Sequence, residues 1–169
     1  KSPAAFPDIL ATSSREGTGI AELRAAIGLG QFALHYQPVV DVRSRRLVGF
    51  EALLRWRHPE RGMVPPADFV PLAEEIGLIA PLGEFVLRHA CAEAAAWPAP
   101  LRVAVNLSPA QFRSGGLAEC VTAALAEGGL DPRRLELEIT EGVLLQDGEA
   151  TLAVLRRLRA LGVRIAMDD

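Results

Sequence analysis

Oxygen-bearing side chains stand at the ends of short apolar runs along this chain, and their spacing restricts the fold more than any other feature. Asn106, Glu138 and Asp168 close three such runs at intervals of about 30 residues. The runs read as strands at Arg102–Asn106, Leu135–Ile139 and Val163–Met167. Helical patterns separate them. One is Leu117–Ala126, stopped by Gly128-Gly129. The other is Glu149–Leu161, with Leu152, Leu155 and Leu158 on one stripe and Gly162 just after it. Strand–helix–strand alternation with short connections implies parallel strands joined by right-handed crossovers, so the fold class is α/β.

The upstream half supplies the start of the same sheet. Phe32–Val42 and Gly49–Trp56 read as extended, with Arg43–Arg46 turning between them as a hairpin. Pro65-Pro66 and Ala67 open a helix running to about Gly77. Leu82, Phe85, Val86 and His89 mark a longer one that reaches Trp97 and stops at Pro98 and Pro100. Strand side chains alternate faces. Val103, Val105, Leu137, Ile139, Ile165 and Met167 are therefore expected against covering helices. Ala104 and Asn106, Glu136 and Glu138, and Ala166 and Asp168 share the opposite face, as do Glu51, Leu53 and Arg55 on the second strand. A (β/α)8 barrel of about 250 residues has about 31 per unit and gathers its active site at the carboxyl ends of its strands. An open doubly wound sheet also binds there, but usually through a glycine-rich phosphate loop, and no such loop follows any strand here. The spacing favours the barrel.

Composition removes other classes. Half of the 169 residues are apolar and the formal net charge is −3. That composition excludes a disordered chain and argues against a nucleic-acid polymer as main partner, because no basic surplus exists to displace counterions. No apolar stretch approaches the ~20 residues of a spanning helix, and no cleavable leader opens the sequence, so a cytoplasmic protein is expected. Cys91 and Cys120 sit in alanine-rich helical patterns without metal-ligand spacing and read as two buried, reduced thiols. His35, His58 and His89 lack the i, i+4 partner of a helical metal site. They read as an edge-strand residue, a loop residue and a packed or partly exposed helix residue. Trp56 and Trp97 read as packing residues.

Glu51, Asn106, Glu138 and Asp168, with Asp169 beside it, would form a ring of oxygen ligands at one end of the barrel. Carboxylates and an amide carbonyl suit a hard cation such as Mg²⁺ or Mn²⁺ rather than zinc. Adjacent aspartates allow two ions, the arrangement that polarises a phosphodiester, activates water and stabilises the leaving oxygen. Arg55, on the face of Glu51, is placed to hold a phosphate oxygen. One inward Glu or one Asn at a strand end is ordinary. Four such residues at matching positions on four strands are not, and clustered carboxylates call for a cation.

Glu51-Ala52-Leu53 followed by Leu54-Arg55-Trp56 resembles the signature of the EAL domain family, the bacterial cyclic-di-GMP phosphodiesterases. Tyr36-Gln37-Pro38-Val39, Arg57-His58-Pro59, Phe69-Val70-Pro71-Leu72-Ala73-Glu74, Asn106-Leu107-Ser108, Leu137-Glu138-Ile139-Thr140-Glu141 and Met167-Asp168-Asp169 extend it from about Phe32 to the last residue. The resemblance implies a TIM-type (β/α)8 barrel of which about the first five strands are encoded. It implies hydrolysis of cyclic di-GMP to linear pGpG with Mg²⁺ or Mn²⁺, two ions in the complete domain, and a homodimer through the EAL domain. It also implies Glu51, Asn106, Glu138 and Asp168 as metal ligands, with Asp169 at the second metal and catalytic. Leu53, Arg55 and Gln37 match substrate-contacting positions, and Glu141 a position supporting the loop after the fifth strand. Some relatives keep the pocket and act only as receptors or interaction modules, the alternative function.

The family pattern continues beyond Asp169 with Phe-Gly-Thr-Gly and a strand bearing a lysine, whereas Lys1 is the one lysine here. The chain is therefore expected to be the amino-terminal part of an EAL domain, inactive alone, with residues 31–169 as that part. Residues 1–30 read as a separate linker: a strand at Asp8–Ser14, a turn at Arg15–Gly19 and a helix at Ile20–Ile27. Ala11-Thr12-Ser13-Ser14 and Gly17-Thr18-Gly19-Ile20 resemble the tail of an EngB-type ribosome-biogenesis GTPase. The phosphate-binding loop of that family is missing, so GTPase activity is excluded.

Overall fold

The apolar runs pair into one six-stranded sheet in a computed structural model that describes residues 13–145 and 148–168. The strands are β1 (Phe32–Val40), β2 (Leu47–His58), β3 (Gly62–Val64), β4 (Arg102–Asn106), β5 (Leu135–Thr140) and β6 (Arg164–Asp168). Their order is β1-β2-β4-β5-β6, with β3 paired to β2 off this path. β2, β4, β5 and β6 run parallel, and β3 runs antiparallel to β2. Residues 41–46 between β1 and β2 are too few for a parallel crossover, so these neighbours form the expected antiparallel hairpin. Asp41 Oδ1 closes its turn by accepting from both the backbone N–H and the hydroxyl of Ser44, each at 2.7 Å. The strand count exceeds the expected five by β3, three residues too short to show a period in sequence.

The chain divides into two compact units, the first comprising residues up to Ala33 with Arg55–Leu78 and the second Leu34–Leu54 with Ile79 onward. In the first unit, α1 (Ser13–Gly28) and α2 (Pro66–Glu75) accompany the end of β2 and β3. Phe32, Trp56 and Phe69 form an aromatic cluster with ring centroids 5.6–6.0 Å apart. Trp56 Nε1 donates to Gln31 Oε1 at 3.1 Å, so the polar edge of this buried indole is satisfied. The turn expected at Arg15–Gly19 is instead the first part of α1, which also takes in Ser13 and Ser14. Two glycines cost a helix only about 1 kcal/mol each, and the Ala-, Glu-, Leu- and Arg-rich remainder carries it. Residues 8–12 of the expected strand lie outside the described residues. His58 corrects another expectation, being the buried last residue of β2 and not a loop residue. Its Nδ1 accepts from the backbone N–H of Glu60 and Arg61 at 3.1 and 3.2 Å, and its Nε2 faces Glu22 Oε2 at 3.3 Å.

In the second unit, α3 (Ile79–Ala95), α4 (Pro109–Arg113), α5 (Leu117–Gly128), α6 (Glu141–Leu145) and α7 (Gly148–Ala160) alternate with the parallel strands. Val103, Val105, Leu137 and Ile139 are buried against these helices, as their parity requires. Met167 departs from that parity, 56% exposed on the outermost strand. The stripe expected on the last helix shifts by one residue. Thr151, Leu155 and Leu158 are buried and Leu152 is 41% exposed, because i, i+4, i+7 spacing follows the helical repeat more closely than i, i+3, i+6. Cys120 is half-buried rather than buried, facing a cavity of about 290 Å³ lined also by Glu84, Gln111 and Gly116; both cysteines are free. α3 and α5 meet closely at Gly128, where a Cβ would come within 2.9 Å of the Ala92 backbone nitrogen. Ser108 and Gln111 cap α4 with a reciprocal box, and Pro109 occupies its first turn. Among the described residues no helix is long and apolar enough to cross a membrane.

One side chain finishes α3. Arg134, at the end of a 3-10 turn (Pro132–Arg134), donates from Nη2 to the carbonyls of Ala94 at 2.7 Å and Trp97 at 3.1 Å. Its Nε donates to that of Leu101 at 2.7 Å. Carbonyls at a helix end have no intrahelical partner, and a guanidinium fork serves several at once. Arg134→Ala is expected to lower stability by about 2–4 kcal/mol, read from the urea midpoint at constant slope. Arg134→Lys should recover less than half of that loss.

Tyr36 packs edge-on against Trp97, with centroids 5.3 Å apart. Burial pushes its phenol up from 10.0 to about 12, with the charges of Glu93 and Cys91 adding to it. A raised folded value stabilises the fold below the ordinary phenol range, and that stability is lost as pH climbs from 10 towards about 12. The chain holds a single tyrosine, so its tyrosinate absorbance reports this group alone. Its midpoint is expected near 12 in the folded chain and near 10 in denaturant.

Candidate functional site

Strand pairing brings the sequence-predicted acids of the second unit to one end of the parallel sheet. Asn106, the last residue of β4, is paired with Glu138 of β5, and Thr140 of β5 with Asp168 of β6. The backbone N–H of Leu107 donates to Glu138 O at 2.9 Å, continuing the β4–β5 ladder one residue past Asn106. On the other side Glu51 of β2 is opposite Ala104, two residues before Asn106, and is its diagonal neighbour on the same face. The Asn106 amide Nδ2 donates to Glu51 Oε1 at 2.7 Å. That bond orients the amide with its carbonyl oxygen turned away from the carboxylate that accepts from it.

Three oxygen-bearing groups on three adjacent strands are thereby assembled: the carboxylate of Glu51, the amide of Asn106 and the carboxylate of Glu138. Glu51 and Glu138 are half-buried and Asn106 is exposed. Asp168 joins them by its backbone position at the end of β6, and Asp169 lies outside the described residues. No group of three or more His, Cys, Asp or Glu side chains close enough to hold a metal exists among the described residues. Two carboxylates and an amide form the described part of the set. This all-oxygen donor chemistry fits a hard divalent cation.

The other sequence-predicted residues are placed as follows. Leu53 follows Glu51 on β2 at the same parity and is half-buried. Gln37 is exposed on β1, and Glu141 is exposed at the first residue of α6, directly after β5. Arg55 is half-buried on the continuation of β2, which belongs to the first unit. Glu136 is not among the expected site residues, and its carboxylate meets two arginines. Arg164 Nε is 2.9 Å and Arg102 Nη1 3.7 Å from the same Oε2. Sequence parity puts Glu136 on the face of Glu138, but only the register reveals its partners.

The profile of a family described as EAL domain matches residues 20–169. An uncharacterized signaling protein of Caulobacter vibrioides is 55% identical over 156 residues, covering 92% of this chain and 19% of that protein. A cyclic di-GMP phosphodiesterase of Pseudomonas aeruginosa is 44% identical over 167 residues, covering 96% of this chain and 28% of that protein. Among solved structures, PaMucR phosphodiesterase in complex with c-di-GMP superposes with a TM-score of 0.86 at 43% identity, covering 90% of this chain and 63% of that one. The chain thus spans less than a third of the length of these curated relatives. The GTPase-tail resemblance of the first residues is unsupported by these matches.

The Glu51–Asn106 contact gives a direct test of the site's charge balance. Asn106→Asp sets a second carboxylate against Glu51. Without divalent cations this variant is expected to lose about 1 kcal/mol of stability. Added Mn²⁺ should raise its melting temperature more than that of the unaltered chain.

Proposed function

The chain belongs to the EAL domain family, and from that premise we propose that it carries the metal-binding and substrate-facing part of a cyclic-di-GMP phosphodiesterase acting in the bacterial cytoplasm. Its α/β sheet is part of the family's TIM-type barrel. The observation that carries the proposal is the juxtaposition of Glu51, Asn106 and Glu138 on neighbouring parallel strands, with the 2.7 Å bond between the first two. In such barrels the carboxyl ends of the strands hold the active site.

Glu51, Asn106 and Glu138, with Asp168 and Asp169, are the residues that would hold Mg²⁺ or Mn²⁺, the pair of ions belonging to the complete domain. When bound, these ions supply Lewis acidity towards the phosphate and a nucleophilic water at neutral pH. The chain's own groups do the remaining work. The Asn106 amide holds the Glu51 carboxylate in place through its N–H and offers its carbonyl as a neutral ligand. Arg55 supplies a cationic fork for a phosphate oxygen, and Leu53 and Gln37 contact the nucleotide. Asp169 acts as the catalytic carboxylate that takes the proton of the attacking water, while Glu141 steadies the segment after β5. Attack of water on phosphorus breaks the bond to one 3′ oxygen of cyclic di-GMP, and the leaving oxygen takes up the proton held by Asp169. The products are a 3′-hydroxyl and a 5′-phosphate, which together are linear pGpG.

The test uses the chain and a longer form that continues beyond residue 169. In the longer form Glu51→Ala is expected to reduce pGpG formation in Mn²⁺ at least about a hundredfold, followed by chromatography of the nucleotide products. Wild-type activity in that variant overturns the proposal. Metal-dependent binding of cyclic di-GMP without turnover in the longer form would instead assign it as a receptor.

A further inference from the structure

Beside the proposed ligands, in the register row of Glu51 and one diagonal step below Asn106, lies a second charged group that the reaction does not use. Glu136 stands two residues before Glu138 on β5, on the same face and about 6.6 Å along the strand. Its Oε2 takes the Arg164 guanidinium of β6 at 2.9 Å and the Arg102 guanidinium of β4 at 3.7 Å. Glu136 and Arg164 are direct partners in the β5–β6 register, and Arg102 lies on the strand to the other side. The carboxylate is the least exposed of the three groups, at 22% against 30% for Arg102 and 54% for Arg164.

Two arginines thus stand on the strands that flank β5, beside a cluster that must stay negative to attract a cation. A guanidinium is permanently charged, forks readily onto carboxylates and sits on a long flexible stem. Arg102 is the diagonal neighbour of Glu51, and Arg164 that of Glu138, on this face. A cation and a guanidinium compete for the same oxygens, since both neutralise the same charge.

We propose that Glu136 is a positioning residue: it holds Arg102 and Arg164 to itself and so keeps the carboxylates of Glu51 and Glu138 available to divalent metal. This rests on the reading of Glu51, Asn106 and Glu138 as metal ligands. Removing its charge costs cation affinity through the two released arginines, rather than through loss of fold.

Mn²⁺ affinity of the full chain, measured by calorimetry, and its urea midpoint test this together. Glu136→Gln, which keeps the shape and removes the charge, is expected to bind Mn²⁺ about tenfold more weakly, in the range found when groups supporting metal ligands are removed. Adding Arg102→Gln and Arg164→Gln to it should restore wild-type affinity, which a merely structural ion triad would not do. The triple variant carries the test by itself if the single one fails to fold: wild-type affinity supports the proposal and a tenfold loss overturns it. Mn²⁺ binding abolished by Glu51→Ala but unchanged by Glu136→Gln overturns the proposal and leaves the metal reading standing. No binding that depends on Glu51 in any variant overturns both.

Discussion

The pairing of β4 with β5 is the constraint on which the rest of the second unit depends. Residues on a strand alternate faces, so a slip of one position would carry Asn106 and Glu138 into the helix-covered core and bring Val105 and Leu137 out. Burying a carboxylate there without a partner is costly, and so is exposing valine and leucine; both penalties select the same register. Val103, Val105, Leu137 and Ile139 fix that register from one side of the sheet. The polar face inherits its alignment. The site is therefore positioned by residues that take no part in it.

The polar face holds two clusters. Arg102, Glu136 and Arg164 form one, closed on itself by two ion pairs. Ala104 is in register with both Glu136 and Glu51, small enough to leave the diagonal from Glu51 to Asn106 open. One step along the strands from it are Asn106 and Glu138, paired with each other. The arginines and the ligand carboxylates share one face within a distance that long side chains can cross, so their order along the strands matters as much as their identity.

Much of this was legible in the sequence, and the reasons for the gaps are physical. The strands β4, β5 and β6 and the helices between them carry strong periodicity and were placed within a few residues. α4, α6 and the 3-10 turn span five residues or fewer, too short for a helical repeat to register. The start of α1 was hidden by Gly17 and Gly19, which signal a turn locally but are tolerated inside a helix. At the site, spacing and parity located Asn106, Glu138 and Asp168 on successive strand ends. They could not show that Asn106 donates to Glu51, because that bond joins strands whose relative stagger has no signature in either. The partners of Glu136 were hidden for the same reason.

Arg134 also bears on the order in which the chain can fold. The carbonyls of Ala94, Trp97 and Leu101 gain their guanidinium partner only when a segment more than thirty residues downstream arrives. Before that, the Ala94 carbonyl has the backbone N–H of Trp97 at 3.1 Å, while those of Trp97 and Leu101 rely on water. During synthesis the first crossover of the unit therefore stays incompletely solvated by its own chain until β5 is about to form. Locally autonomous strand–helix pieces would fold one by one as they emerged; this long-range closure ties the first crossover to the next and makes the two cooperative.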